Sequence, residues 1–133
     1  MHYFAYGSNL DRQQMKARCP GCKPGSSAIL HHFKIVFSGW SRQWHGGTAS
    51  IKPMRGERVR GGLYELSEAE VHRLDEFEGY PAVYDRLNVI VNTDSGEAVE
   101  AFTYIRKQQM EETKPSPEYL RIIQRGYRDW GLV

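Results

Sequence analysis

The chain has 133 residues, of which 40% are hydrophobic and 26% are charged, and its formal net charge is +2. This length and composition predict one globular domain over residues 1–133 and argue against a disordered chain. No apolar run approaches the roughly 20 residues of a membrane span, and the N-terminus lacks the layout of a secretion signal, so we expect a cytoplasmic protein without a membrane partner. Glu57 and glycines interrupt the basic residues Arg55, Arg58 and Arg60, a pattern typical of a solvated edge rather than of a nucleic-acid-binding surface.

Patterns typical of strands and helices alternate along the chain. Strands are predicted where apolar residues recur at every second position, and helices where they recur every three or four positions. A Gly61-Gly62 pair inside one strand predicts a bulge or a sharp bend there. In chain order the predictions are a strand over residues 1–6, a helix over 9–18, strands over 28–38, 48–51 and 59–66, a helix between 67 and 79, a hairpin of strands over 84–92 and 97–106, and a helix from 116 to 131.

The last two helices carry clear boundary signals. Ser67 and Glu70 form a capping box, and Gly79 is placed to end that helix. Ser116 is placed to cap the final helix, with Pro117 at its first position. Most links between the strands are too short for crossover connections, so most strands must pair antiparallel. The sequence therefore predicts the α+β class, as a mainly antiparallel, closed or nearly closed β-barrel with helices packed on it.

The first strand ends in Tyr6-Gly7-Ser8-Asn9, where a helix is predicted to begin. Gly7 allows a tight turn and lets a ligand approach without a Cβ in the way. Ser8 or Asn9 is predicted to cap the helix, whose first N–H groups then lie beside a partly positive helix end. Such a turn suits a carboxylate or a developing oxyanion. An ordinary capped turn between a strand and a helix explains the same residues.

An acidic stretch ends the helix that follows Ser67. On a helical wheel, Glu78 lies on the apolar face, Glu76 falls on the opposite face, and Asp75 sits at the border. A carboxylate among apolar neighbours at a helix C-terminus should have a raised pKa, which suits a general base or acid working near neutrality. The alternative is an inward glutamate neutralised by an arginine such as Arg42 or Arg86.

Three further residues are candidates for chemistry. Tyr119 lies in the first turn of the last helix, where its hydroxyl can reach a pocket or simply lie in the core. Cys19 and Cys22 form a CxxC pair, which can be a redox couple or half of a zinc site. This pair follows a helix in a turn rich in Pro and Gly, and the second half of a zinc site is missing. The pattern favours two reduced turn cysteines.

These stretches resemble the γ-glutamylcyclotransferase family. The resemblance runs in the same order over nearly the whole chain and is carried by YFAYGSNL at 3–10, WHGG at 44–47 with Ala49, LDE at 74–76 followed by Glu78-Gly79, and PSPEY at 115–119. It implies a small mixed barrel with flanking helices. It also implies an enzyme, needing no cofactor, that converts a γ-glutamyl amine or amino acid to 5-oxoproline and releases the free amine.

The resemblance also implies roles for individual residues. It places the acidic catalyst at Glu78. The substrate-binding residues that it implies are Tyr3, Phe4, Ala5, Tyr6, Gly7, Ser8, Asn9, Tyr84 and Tyr119. The implied partner is a small γ-glutamyl molecule, and the Gly-Ser-Asn-Leu residues favour the branch that acts on amino-acid or antibiotic substrates.

The sequence leaves several alternatives open. One is a non-catalytic module that binds a metabolite in the same pocket. Another is a thiol or metal protein that uses Cys19 and Cys22. The identity of the leaving amine is open, as is the choice between a monomer and a homodimer.

Overall fold

The strands of the molecule close into a barrel. The structure is a computed structural model that describes residues 1–108 and 110–133. In chain order its elements are β1 (His2–Ala5), a 3₁₀ helix (Ser8–Leu10), α1 (Arg12–Arg18), β2 (Lys23–Ser41), β3 (Gly46–Glu65), α2 (Glu68–Glu78), β4 (Tyr84–Thr93), β5 (Ala98–Arg106) and α3 (Pro117–Asp129). The strand order around the barrel is β1-β3-β2-β4-β5.

Most neighbouring strands of the barrel pair antiparallel, as short connections require. The exception is β5, which pairs with β1 in parallel where Phe102 lies opposite Tyr3 and so closes the barrel. The α+β class and the mixed, mainly antiparallel barrel are therefore confirmed. In the part of the chain that the structure describes, no helix is both long enough and apolar enough to cross a bilayer.

β2 and β3 form a hairpin longer than the sequence predicted. β3 joins the strands predicted at 48–51 and 59–66, because its pairing with β2 continues past an irregularity between His31 and Phe33. His32 has a positive φ of 65° and Gly56 one of 85°, so both strands depart from regular geometry there. This bulge interrupts the apolar alternation without ending the strand. Arg55, Arg58 and Arg60 lie near it and are exposed, as predicted.

The Gly61-Gly62 pair permits close packing beside an irregularity in the pairing of β2 with β3. A Cβ on Gly61 would lie 2.2 Å from the carbonyl oxygen of Ala5, and one on Gly62 would lie 2.6 Å from the ring of Trp130. Ser27 pairs with Gly62 but Pro24 pairs with Tyr64, so the register shifts directly after Gly62. The irregularity predicted at the glycines is therefore present, with its extra residue on β2, and the small size of the glycines lets β1 and Trp130 pack against β3.

The first helix begins later than predicted. Ser8–Leu10 forms a 3₁₀ turn, and α1 begins at Arg12. Its cap is Asp11, whose carboxylate accepts a hydrogen bond from the Gln13 amide at 3.1 Å. The predicted cap at Ser8 or Asn9 is wrong, because both residues lie within the 3₁₀ turn that precedes α1. The Asn9 side chain makes its hydrogen bonds with other parts of the structure.

The later helix boundaries agree with the sequence signals. The capping box of Ser67 and Glu70 is formed, and Gly79 ends α2 in the left-handed conformation with φ of 69°. Ser116 caps α3 by accepting a hydrogen bond from the Tyr119 amide, and Pro117 begins that helix. These caps fix the last residue of α2 and the first turn of α3, which carry Glu78 and Tyr119.

Candidate active site

A cavity of about 310 Å³ lies where the turn after β1 meets the end of α2, the tip of the β2–β3 hairpin and the start of α3. Its wall includes every site residue predicted from the sequence except Phe4 and Ala5. The lining residues among those predicted are Tyr3, Tyr6, Gly7, Ser8, Asn9, Glu78, Tyr84 and Tyr119. Residues from both ends of the chain therefore converge on one concave surface.

Phe4 and Ala5 lie elsewhere. Both side chains are fully buried and belong to the hydrophobic core. They came into the prediction as parts of a continuous motif, but neither lines the cavity. The structure thus gives their side chains no contact with a ligand in the cavity, and their role is to hold β1 in the barrel.

Glu78, the last residue of α2, is half-buried and lines the cavity. Burial raises the pKa of its carboxyl from 4.5 to about 7, against the opposing effects of the Arg18 charge and the hydrogen bond from Asn9. Glu76 is exposed, as the helical wheel predicted for the opposite face. Glu78 is therefore a carboxylate whose protonation can change near neutral pH.

The arginines suggested as neutralising partners of Glu78 lie elsewhere. Arg86 forms an ion pair with Asp75, whose side chain is buried, and the Asp75 carboxylate also accepts a hydrogen bond from Tyr104 at 2.6 Å. Arg42 is exposed. The two named arginines are therefore not the partners of Glu78, because Arg86 pairs with Asp75, but the predicted neighbouring arginine exists, since the charge of Arg18 acts on Glu78.

Asn9 connects the turn after β1 to the acid. Its Nδ2 donates to Glu78 Oε1 at 3.1 Å and to the Tyr3 hydroxyl at 3.0 Å. Its Oδ1 accepts from Arg18 Nη1 at 3.0 Å and from Gln14 Nε2 at 3.3 Å. Two acceptors on the nitrogen and two donors on the oxygen fix the orientation of the amide. Asn9 thereby holds one oxygen of Glu78 in place.

Arg18 and Gln14 are functional residues that the sequence analysis missed. They are four positions apart on α1, a spacing that places both side chains on one face of a helix. Gln14 Nε2 also donates to Ser8 Oγ at 2.9 Å. The spacing was visible in the sequence, but only the packing of α1 beside the turn shows that this face supports Asn9.

Two predicted tyrosines hold the backbone of Ala49 from both sides. The Ala49 amide donates to the Tyr119 hydroxyl at 2.9 Å, and the Tyr84 hydroxyl donates to the Ala49 carbonyl at 3.0 Å. A Cβ on Gly7 would lie 3.2 Å from the Ala49 Cβ and 3.7 Å from the Tyr119 hydroxyl. Since the Tyr119 hydroxyl accepts from Ala49, its own hydrogen is available to a ligand in the cavity.

A further chain of hydrogen bonds supports Tyr84. Arg106 Nη2 donates to Thr48 Oγ1 at 2.9 Å, and Thr48 Oγ1 lies 2.9 Å from the Tyr84 hydroxyl. The Arg106 guanidinium also lies 5.1 Å from the centre of the Tyr84 ring. Both Thr48 and Arg106 line the cavity, and no local motif marked either of them.

Cys19 and Cys22 do not line this cavity. Both are free thiols, and Cys19 is buried at the end of α1. Burial raises the pKa of the Cys19 thiol to about 11, so at neutral pH its sulfur is protonated, the form that is neither nucleophile nor metal ligand. Among residues 1–108 and 110–133, no three His, Cys, Asp or Glu side chains group as metal ligands would.

Comparisons with known proteins identify the family of the chain. A family model described as "Gamma-glutamyl cyclotransferase, AIG2-like" matches residues 3–128. The chain is 33% identical to the gamma-glutamylcyclotransferase of Mus musculus and 34% identical to that of Homo sapiens, in each case over 98% of this chain and 71% of the relative. A solved structure described as "Gamma-glutamyl cyclotransferase" is 33% identical, with a TM-score of 0.95 over 99% of this chain and 80% of that one. These relatives support an enzyme of this type, and the chain therefore belongs to the gamma-glutamyl cyclotransferase, AIG2-like, family.

Proposed function

We propose that this protein converts a γ-glutamyl compound to 5-oxoproline and a free amine, with Glu78 as the group that carries the proton. One observation carries the proposal. A carboxyl with a pKa of about 7 lines the same cavity as the turn of Gly7, Ser8 and Asn9 and is tied to that turn by the Asn9 amide. The names of the relatives agree with this activity.

The substrate supplies its own nucleophile. Its α-ammonium group gives a proton to the Glu78 carboxylate, and the free amine then attacks the γ-carbonyl carbon to close a five-membered ring. The tetrahedral intermediate collapses when the leaving nitrogen takes this proton from Glu78 and the original amide bond breaks. The regenerated carboxylate then removes the second proton from the ring nitrogen and passes it to the departing amine. Overall, the attacking nitrogen loses two protons and the leaving nitrogen gains two, so the amine departs as an ammonium ion. No atom changes its oxidation state, and the chemistry needs no redox cofactor.

The cavity wall supplies positioning and polarity. Gly7, Ser8 and Asn9 begin a 3₁₀ turn, and the first amides of such a turn have no partner within the helix. We assign them to the α-carboxylate of the substrate or to the developing oxyanion. Folding the glutamyl chain against Tyr6 and Tyr119 brings the amine and the carbonyl into the geometry that ring closure requires.

A module that only binds a γ-glutamyl compound is the competing interpretation. Such a module could pair a carboxylate with the α-ammonium group of its ligand, and that role is served best by a carboxyl that stays ionised at neutral pH. A carboxyl with a pKa of about 7, which changes its protonation near neutral pH, is instead what a proton carrier requires. The raised pKa of Glu78 therefore favours catalysis over binding alone.

The experiment that tests the proposal is a panel of γ-glutamyl compounds incubated with the purified protein. We expect 5-oxoproline and the free amine to appear in equal amounts, measured by mass spectrometry. Glutamate in place of 5-oxoproline would mean attack by water and would refute ring closure. Binding of the panel without any product would support the metabolite-binding module.

The pH dependence of the reaction follows from the pKa of Glu78. Since the base must be ionised and its pKa is about 7, kcat/KM should rise as the pH increases toward 7 and level off above it. At two pH units below that pKa, about 1% of the carboxyl is ionised, so we expect activity about 100-fold below the plateau. Initial rates measured between pH 5 and pH 9 give this rise of kcat/KM with pH. A midpoint of the rise near pH 4.5 would contradict a role for Glu78 as a base with a raised pKa.

A further inference from the structure

The mouth of the cavity carries large apolar side chains that face solvent. Trp40 is 66% exposed, Phe77 54% and Val83 46%, and all three line the cavity. They come from separate segments: the end of β2, the last turn of α2 and the connection before β4. We call these three residues the apolar rim.

Two of the three rim residues, Val83 and Phe77, are held in place by their surroundings. The Val83 amide donates to the Gly79 carbonyl at 2.8 Å, and the Val83 carbonyl accepts from the Lys107 amide at 2.9 Å. The Phe77 ring lies 4.9 Å from the Arg18 guanidinium, whose Nη1 also donates to Asn9. Clustered apolar surface that is fixed and exposed is typical of a binding site, whereas singly scattered apolar residues need no explanation.

The position of the apolar rim shows which part of a substrate meets it. Another part of the wall is closed, since Tyr6, Ala49 and Tyr119 are all buried. The bond that breaks must lie beside Glu78, which directly follows Phe77 in the chain. With the glutamyl group against Gly7 and the buried wall, the leaving amine extends past Glu78 toward the exposed rim.

We infer that the apolar rim binds a large apolar group on the leaving amine, so that the substrates are γ-glutamyl compounds of bulky apolar amino acids or amines. This inference rests on the proposed function. Covering the three side chains removes apolar surface from water, which favours such leaving groups over small ones.

The test compares γ-glutamylphenylalanine with γ-glutamylglycine. Because one apolar contact discriminates by about 10- to 200-fold, we expect kcat/KM for the phenylalanine compound to be at least about tenfold higher. In Trp40→Ala and in Val83→Ala this ratio should fall toward one. Ile90→Ala is the matched control, since Ile90 is also 66% exposed but lies outside the cavity, and it should keep the wild-type ratio.

In the kinetic comparison, two results would overturn the inference: a wild-type ratio near one, or an undiminished ratio in both rim variants. Affinities of the two compounds for Glu78→Gln, measured by calorimetry, separate this inference from the proposed function. If Glu78→Gln binds the phenylalanine compound more tightly than the glycine compound, and the double variant with Trp40→Ala loses this difference, the apolar rim binds the leaving group. This result would support the inference even if the wild-type protein makes no 5-oxoproline. Equal binding of the two compounds, or binding of neither, refutes it.

Discussion

Glu78→Gln is expected to lower kcat for 5-oxoproline release by about 1,000-fold, within the range of about 10²–10⁴ that general acid–base catalysis contributes. Glutamine has nearly the same size and can still accept the hydrogen bond from Asn9, but it cannot take a proton from the substrate or return one. Initial rates at pH 8, with product measured by mass spectrometry, give the comparison. Near-normal turnover by this variant would remove Glu78 from its proposed role.

Other acids on the same helix provide the controls. Glu68→Gln makes the same chemical change at an exposed position in the first turn of α2, and it should leave kcat unchanged. A loss in Glu76→Gln as large as that in Glu78→Gln would contradict the assignment, since Glu76 also borders the cavity.

The thermal unfolding midpoint of Glu78→Gln shows whether a loss of activity comes from lost catalysis or from unfolding. The folded-state pKa of Glu78 lies above its ordinary value of 4.5, so this carboxyl lowers the stability of the fold progressively as the pH rises from about 4.5 to about 7. The glutamine variant cannot ionise and should be at least as stable as the wild type at pH 8. A large drop in its midpoint at pH 8 would show that the lost activity reflects unfolding.

The second large effect is expected for Asn9→Asp. This change keeps an oxygen for Arg18 and Gln14 but replaces the donor to Glu78 with a second carboxylate oxygen, so like charges raise the pKa of Glu78 further. A hydrogen bond to a charged group is worth about 1.5–3 kcal/mol, so kcat/KM at pH 7 should fall by about 10- to 100-fold. The dependence of kcat/KM on pH measures both the loss of activity and the shift of the acidic limb, which is the low-pH range where activity falls because Glu78 becomes protonated.

Part of the activity of Asn9→Asp should return above pH 8, because the base is then ionised again. Asn88→Asp adds the same charge at an exposed position on β4 and should leave the profile unchanged. An acidic limb that stays at its wild-type position in Asn9→Asp would show that Asn9 does not control the ionisation of Glu78.

Local signals predicted the elements that position the acid. The capping box at Ser67 and the glycine at 79 fix both ends of α2, and the helical wheel then placed Glu78 inward and Glu76 outward. These predictions succeeded because every interaction involved lies within a few residues. The closed barrel was likewise predicted, since short links leave few ways to pair the strands.

Features that depend on distant contacts were predicted less well. Asn9 did not cap α1, because its amide is used by Tyr3 and Glu78, and the latter lies 69 positions away in the chain. The cation near Glu78 is Arg18 rather than Arg42 or Arg86, which depends on how α1 and α2 pack together. Trp40 and Arg106 join the cavity only through the path of the long hairpin and the barrel closure. No local pattern in the sequence carries that information.

The most direct test of the proposed mechanism is a measurement of the ionisation of Glu78 itself. In protein labelled with ¹³C at glutamate side-chain carboxyls, NMR between pH 3 and pH 9 follows every glutamate, and Glu78→Gln identifies the resonance of interest. We expect one carboxyl resonance that titrates with a pKa of about 7 and is absent from the spectrum of the variant. If the resonance lost in the variant titrates at the ordinary value for an exposed glutamate, Glu78 is not a buried proton carrier and the proposed mechanism is refuted.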